Sequence, residues 1–220
     1  RQNKTLEQMA ETLFRQWFVE DADESWEEKR LKDIVDEVID NRGKTPPTVE
    51  YKNEYPLIEV NAISTNTCLV NYEVVRKYVT QETYSTWFRK HLKKNDIIFS
   101  TVGTIGVFSI FLENVGAIAQ NLIGLRFEKV SPYFIYCFFK MNIENIINLD
   151  IGGVQPSIKV PHLLEIAIKC PPQNLLNKFH NSLEGNFQKI KANIQQIRTL
   201  TQLRDNLLPK LMSGEVRVKK

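Results

Sequence analysis

Cysteine is scarce in this sequence: there are three in 220 residues, Cys68, Cys137 and Cys170, far apart and odd in number. No Cys-x-x-Cys or Cys/His pairing accompanies them, which argues against a disulfide framework and against a zinc site. A reducing cytoplasm fits that usage best. Long apolar runs are also missing. No stretch reaches the roughly 20 residues that a bilayer span requires. The Phe- and Ile-rich segment 131–149 is interrupted by Lys140, Asn142, Glu144 and Asn145, so it reads as a core helix and no membrane partner is expected. Low-complexity tracts and internal repeats are absent, and the polar, amphipathic start is not that of a secretory signal. The chain opens at Arg1, inside what reads as a helix, which suggests a fragment of a longer protein.

Signatures of catalysis are missing as well. His91, His162 and His180 stand alone, with no His-Glu-x-x-His spacing. No Gly-x-Ser-x-Gly elbow occurs. Gly43-Lys44-Thr45 lacks the upstream glycine of a nucleotide-binding loop. The two Pro-Pro pairs, Pro46-Pro47 and Pro171-Pro172, lack the Asn or Asp before and the aromatic after that an amino-methylating DNA methyltransferase carries. Asp33, Asp36, Glu37 and Asp40 offer carboxylates for Mg²⁺, as in a nuclease, but their spacing more simply describes a solvated face. No metal site and no catalytic residue is expected.

What is present is a globular composition, 42% hydrophobic and 25% charged, with uneven charge. Residues 1–40 hold 6 basic and 12 acidic side chains, so the net charge of +3 divides into −6 there and +9 over residues 41–220. A basic body is compatible with an anionic partner.

Two segments have helical periodicity. Over Asn3–Glu20, Leu6, Met9, Leu13 and Trp17 form one apolar stripe, widened by Phe14 and Phe18. That stripe suits either a helix on its own core or one strand of a coiled coil. Over Gln173–Leu208, ten apolar residues from Leu176 to Leu207 step by 3 or 4, about 3.4 on average, near the coiled-coil repeat. A helix this long needs a partner helix to cover its stripe. Asn186 and Asn193 lie beside the seam, where they either fix register or merely flank it. Pro209 and Gly214 are expected to end this helix.

Between the helices lies a region of short strands and loops. Strands are expected at Leu57–Val60, Ile97–Phe99, Val107–Leu112, Ala117–Phe127 and within Leu163–Ile168, and a short helix at Glu82–Leu92. Ser131-Pro132 is a helix start, with serine as N-cap, and that helix is expected to reach about Leu149. The fold class is therefore α+β: one mixed α/β domain, flanked by a short N-terminal helix and a long C-terminal coiled-coil helix. The divisions fall at 1–20, 21–172, 173–208 and a basic tail, 209–220.

Four blocks, in order, carry a resemblance. They are Asn3–Val19, the turn-strand-loop Lys94–Gly106, Gln155-Pro156-Ser157-Ile158 with Val160–Leu163, and Ile168–Gln173 with Leu200–Val216, the last containing Leu211-Met212-Ser213-Gly214-Glu215. Together they resemble the specificity subunits of prokaryotic type I restriction-modification enzymes, and the chain is similar to the C-terminal half, with one target-recognition domain between conserved helices. Asn95 departs from the glycine usual in that family's turn. The resemblance implies a non-catalytic, cytoplasmic, double-stranded-DNA-binding subunit that reads half of a split target. Its partners are modification (methyltransferase) subunits bringing S-adenosylmethionine and a restriction subunit bringing ATP and Mg²⁺ chemistry, with no cofactor in this chain itself. It is either a truncated subunit or a natural half-subunit that forms a homodimer through its helices.

Base reading needs paired hydrogen-bonding side chains and phosphate contacts. The candidates lie in polar loops: Arg42, Lys44 and Thr45; Asn61, Ser64, Thr65 and Asn66; Ser100, Thr101 and Thr104, beside Gly103; and Gln155, Ser157 and Lys159. Gln120 and Asn121, as neighbours in a strand, would point to opposite faces, so one at most faces DNA. Helix pairing is assigned to Leu6, Met9, Leu13, Trp17, Leu183, Phe187, Ile190, Ile194, Ile197, Leu200 and Leu207. The alternative from another class is a coiled-coil assembly module without DNA specificity.

Overall fold

Ala10, Phe14 and Phe18 recur at every fourth position and are buried together, and this line of side chains sets the first helix against the rest of the chain. The computed structural model describes residues 1–43, 45–63 and 67–216. Helix α1 (Gln2–Arg15) continues into one wide π-helical turn, Gln16–Glu20. Strand β1 (Glu27–Arg30), helix α2 (Leu31–Ile34) and strand β2 (Glu37–Ile39) follow, then β3 (Leu57–Ile58) and helix α3 (Gln81–Trp87). Next come β4 (Ile97–Ser100), β5 (Phe108–Ile110), β6 (Ala117–Ile118) and β7 (Leu122–Arg126). The chain closes with α4 (Pro132–Met141), α5 (Ile143–Ile147), α6 (Val160–Leu164), β8 (Ala167–Cys170) and α7 (Gln173–Met212).

The central sheet has the order β2-β7-β4-β5 and is antiparallel throughout. Strands β4 and β7 are buried on both faces, which explains their unbroken apolar runs. Gly124 in β7 permits close packing there: a Cβ would meet Leu92 Cδ2 at 2.8 Å and Ile39 Cβ at 3.0 Å. Two smaller pairs complete the topology, β1 with β8 antiparallel and β3 with β6 parallel.

Helix α4 is apolar all round because it is covered on both sides. Phe139 meets Phe99 and Phe108 of the sheet at ring distances of 5.5 and 5.4 Å. On the other side Tyr133 stacks on Phe187 of α7 at 4.2 Å, and Phe134 packs on Phe14 of α1 and Phe18 of the π-helical turn. Helices α1 and α7 run antiparallel. Phe179 packs on Phe14, Trp17 and Phe18, while the buried Asn193 amide, one heptad pair further along, donates to Asn3 Oδ1 at 2.7 Å and Gln2 Oε1 at 3.1 Å. An amide buried in an apolar seam demands partners, so Asn193 fixes the register of the pair.

Several expectations need correction. Met9 is 54% exposed and takes no part in pairing within the chain: the bulkier rings of Phe14 and Phe18 claim the buried side, with Leu6, Leu13 and Trp17 at its edges. Leu183, Phe187 and Ile190 are buried, and Ile194 is half-buried, but Ile197, Leu200 and Leu207 lie bare. Helix α7 is about 60 Å long at 1.5 Å per residue, and α1 covers only its first half. It also runs through Pro209 to Met212. The turn beyond closes because Ser213 N–H still reaches the Pro209 carbonyl, and Gly214, at φ 75°, ends it. Ser131 precedes α4 without capping it; its Oγ lies 3.0 Å from His180 Nδ1 instead. The helix from Pro132 is interrupted at Asn142, whose side chain donates to the Phe138 carbonyl. Among the described residues no helix is long and apolar enough to cross a membrane.

Candidate functional site

The parallel pairing of β3 with β6 joins segments almost sixty residues apart, and it organises a groove. Ala119 N–H continues the ladder to the Ile58 carbonyl at 2.9 Å, and Leu57 N–H reaches the Lys77 carbonyl at 3.0 Å. Beyond the strand ends the chain turns away twice, as the helical turn Val60–Ala62 and as the tight connection 119–121. With the segment around Thr45 these enclose a groove of about 420 Å³, lined by Thr45, Thr48, Asn61, Lys77, Gln120 and Asn121. Glu59 lies at the same edge, ion-paired to Lys77 at 2.8 Å.

Four of the expected residues therefore converge: Thr45, Asn61 and Gln120 are exposed and Asn121 is half-buried. Gln120 and Asn121 occupy the turn between β6 and β7, not a strand. The argument that they face opposite ways fails with its premise, and both line the groove. Lys77, Thr48 and Glu59 were not singled out by sequence, since no motif surrounds them. Their only sequence signal is polarity next to the short apolar strand letters.

A second set adjoins the first through the backbone. Thr101 N–H donates to the Asn121 carbonyl at 3.0 Å, and the Thr101 carbonyl accepts from Ile158 N–H at 2.9 Å. Gly103, at φ 82°, donates to the Pro156 carbonyl, and a Cβ there would lie 3.3 Å from Gln155 Nε2. Thr104, Gln155 and Lys159 are exposed and Ser157 is half-buried along this rim. The loop holding Gln155 is pinned by Asp150, whose Oδ1 accepts from Gly152 N–H and Ser157 N–H at 2.8 Å each. Those bonds, Ser157 first, hold the Asp150 carboxyl below its ordinary range. At the loop tip Val154 is wholly exposed.

Ser100 and Thr101 do not reach the surface. Both are fully buried: Ser100 is the last residue of β4, and Thr101 Oγ1 turns inward to the Asn121 carbonyl at 3.4 Å. Thr101 thus acts as a strut beneath the groove. Arg42 is only partly free. Its Nε and Nη2 donate to the two carboxylate oxygens of Asp40 at 2.8 and 2.5 Å, and that bond holds the Asp40 carboxyl below its usual range. Lys44, Ser64, Thr65 and Asn66 lie outside the described residues.

The carboxylates from Asp33 to Asp40 do not converge. Asp33 accepts from Arg30 N–H at 2.8 Å, Asp36 from Glu128 N–H at 2.6 Å, Glu37 from Arg126, and Asp40 from Arg42. Each has a separate structural partner.

Comparison with known proteins places the chain in a family. The profile of a family described as type I restriction modification DNA specificity domain matches residues 23–198. The chain is similar to the type I restriction enzyme MjaIX specificity subunit of Methanocaldococcus jannaschii, 26% identical over 250 residues, covering 99% of this chain and 54% of that protein. It is similar too to the type I restriction enzyme HindI specificity subunit of Haemophilus influenzae, 23% identical over 197 residues, covering 87% of this chain and 42% of that protein. Its fold resembles the HsdS subunit from Thermoanaerobacter tengcongensis, with TM-score 0.57, 16% identity, and coverage of 97% of this chain and 52% of that one. An S subunit from M. genitalium gives TM-score 0.58 at 17% identity, covering 86% and 46%. The chain spans about half the length of the curated relatives it matches.

Proposed function

The chain belongs to the type I restriction modification DNA specificity domain family, and from that premise we propose that it reads half of a split duplex target for a type I restriction-modification complex. The observation that carries this reading is the groove in which Thr45, Asn61, Gln120 and Asn121 meet beside Lys77. Amide side chains pair with adenine edges, hydroxyls with several bases, and lysine with phosphate or guanine. The adjoining rim of Thr104, Gln155, Ser157 and Lys159 extends the contact along the backbone of the duplex, and the +9 charge of residues 41–220 supplies long-range attraction.

In this reading the chain carries no chemistry of its own. Modification subunits bring S-adenosylmethionine and methylate the target, and a restriction subunit brings ATP- and Mg²⁺-dependent cleavage. Residues 21–172 form the reading module, and the helices hold it. The bare half of the α7 stripe, with Ile197, Leu200 and Leu207, pairs with a second long helix, from another copy of the chain in a homodimer or from the other half of a longer subunit.

The test is duplex binding by the chain across a salt series. Binding is expected to weaken linearly in log–log form, with a slope near −0.9 per phosphate contact. A randomised duplex pool should yield a preferred sequence, and Asn61→Ala with Gln120→Ala should erode that preference by about 1–3 kcal/mol per lost amide contact. A chain that binds all duplexes alike, or none, sinks the reading.

A further inference from the structure

Glu59 is out of place on a surface meant for a polyanion. Among the described residues, the groove's lining is apolar (Pro46, Leu57, Val60 and Ala119) or carries neutral amides and hydroxyls and one lysine, yet this carboxylate stands at its edge with its side chain 35% exposed. Two carboxylates near the loops are absorbed by the fold: Asp150 by two backbone N–H groups and Asp40 by the fork of Arg42. Glu59 has one such contact, from Lys77 Nζ to Oε1 at 2.8 Å, and Oε2 makes no hydrogen bond among the described residues. An ion pair this exposed contributes little to folding, so stability gives no reason for it.

Both stems are rigid. The Glu59 carbonyl accepts from Ala62 N–H at 2.9 Å, directly after β3, and the Lys77 carbonyl accepts from Leu57 N–H at 3.0 Å. The backbone that carries both side chains is therefore anchored, and the ion pair directs one carboxylate oxygen.

We propose that Glu59 is a specificity-determining residue that accepts a hydrogen bond from an exocyclic base amine, cytosine N4 or adenine N6, with Lys77 as the residue that positions it. The chemistry is selective in a way the groove's other side chains are not. Amides and hydroxyls both donate and accept, whereas an ionised carboxylate only accepts. In the major groove adenine and cytosine present an amine, while guanine and thymine present acceptors, O6 and N7 or O4. Against those the carboxylate repels, so it rejects two bases as well as choosing two. Lys77 offsets the charge against the phosphates while leaving Oε2 available. This inference rests on the DNA reading proposed above.

The experiment selects duplexes from a randomised pool with the full chain, its Glu59→Gln variant and its Lys77→Gln variant, and measures affinity for one non-selected duplex across a salt series. The chain itself is expected to select a motif containing one base pair fixed in a single orientation, A·T or C·G with its amine toward Glu59; the pair that Glu59→Gln relaxes identifies the amine. Glu59→Gln should relax that position about tenfold, because an amide also donates to acceptor edges. The same variant should bind the non-selected duplex more tightly, its salt slope steepening by up to about one contact. Lys77→Gln should weaken binding to every duplex and keep the rest of the motif. A purely structural ion pair would make the two variants behave alike, and that result overturns the proposal. So does a motif that Glu59→Gln leaves intact. If the unaltered chain selects no motif, the DNA reading itself fails and takes this inference with it.

Discussion

Asn95 adopts φ 78° in the turn before β4. L-residues reach this left-handed region at a cost, and asparagine bears it better than most. The family resemblance puts glycine at this position, and the backbone explains why asparagine replaces it here. The next residue, Asp96, is 1% exposed in its side chain and holds Arg126 by two bonds, Nε to Oδ1 at 3.0 Å and Nη2 to Oδ2 at 2.9 Å. Arg126 also donates to the His91 carbonyl and pairs with Glu37, so this one guanidinium ties together β7, β2 and the turn before β4. Removing one member of a buried pair leaves the other charge uncompensated. Asp96→Ala should therefore cost about 3 kcal/mol or more of stability, read as a lowered urea midpoint. A midpoint unchanged within error would mean that Arg126 finds full compensation elsewhere.

Among the elements, α7 was the most legible from sequence and the small strands the least. Its ten apolar residues recur over nine steps of 3 or 4, a helical period, and the register-fixing asparagine is visible as a polar letter beside the seam. At the far end the helix runs past Pro209, where proline is expected to stop it. Proline removes one N–H donor, and in the final turn that loss is small beside the bonds that Ser213 and Gly214 still make. Strand β2 was missed for the opposite reason: of its three residues only Ile39 is buried, too short a pattern for a period of two to show. The groove depends on two residues in β3 and two in β6, joined across the chain. Asn61 and Gln120 could be named as polar loop residues, but nothing local says that they meet. Ser100 and Thr101 failed as candidates because polar letters after an apolar strand read as a loop, whereas the sheet buries them. Half of the α7 stripe remains bare, with Ile197 at 59% and Leu200 at 63% exposure. If that half pairs with a second helix, Leu200→Asp with Leu207→Asp should abolish association, leaving a monomer by sedimentation with unchanged circular dichroism. An unaltered sedimentation coefficient at all concentrations, with and without the substitutions, would sink pairing between copies and leave the other half of a longer subunit as the partner.

At the scale of the whole molecule, the packing of α4 between the sheet and the helix pair makes them one body. The three cysteine thiols are unequally buried in that body. Cys68 and Cys137 are fully buried, and burial pushes both thiols well above their ordinary range. Cys170, at the end of β8 just before α7, is half-buried. An alkylating reagent at neutral pH should accordingly modify one thiol in the folded chain, while the other two wait for the body to open. The late phase then times unfolding without any engineered probe. All three thiols reacting together would mean that the centre breathes far more often than its packing implies, while the early one marks a ready attachment point for a dye at the root of the rod.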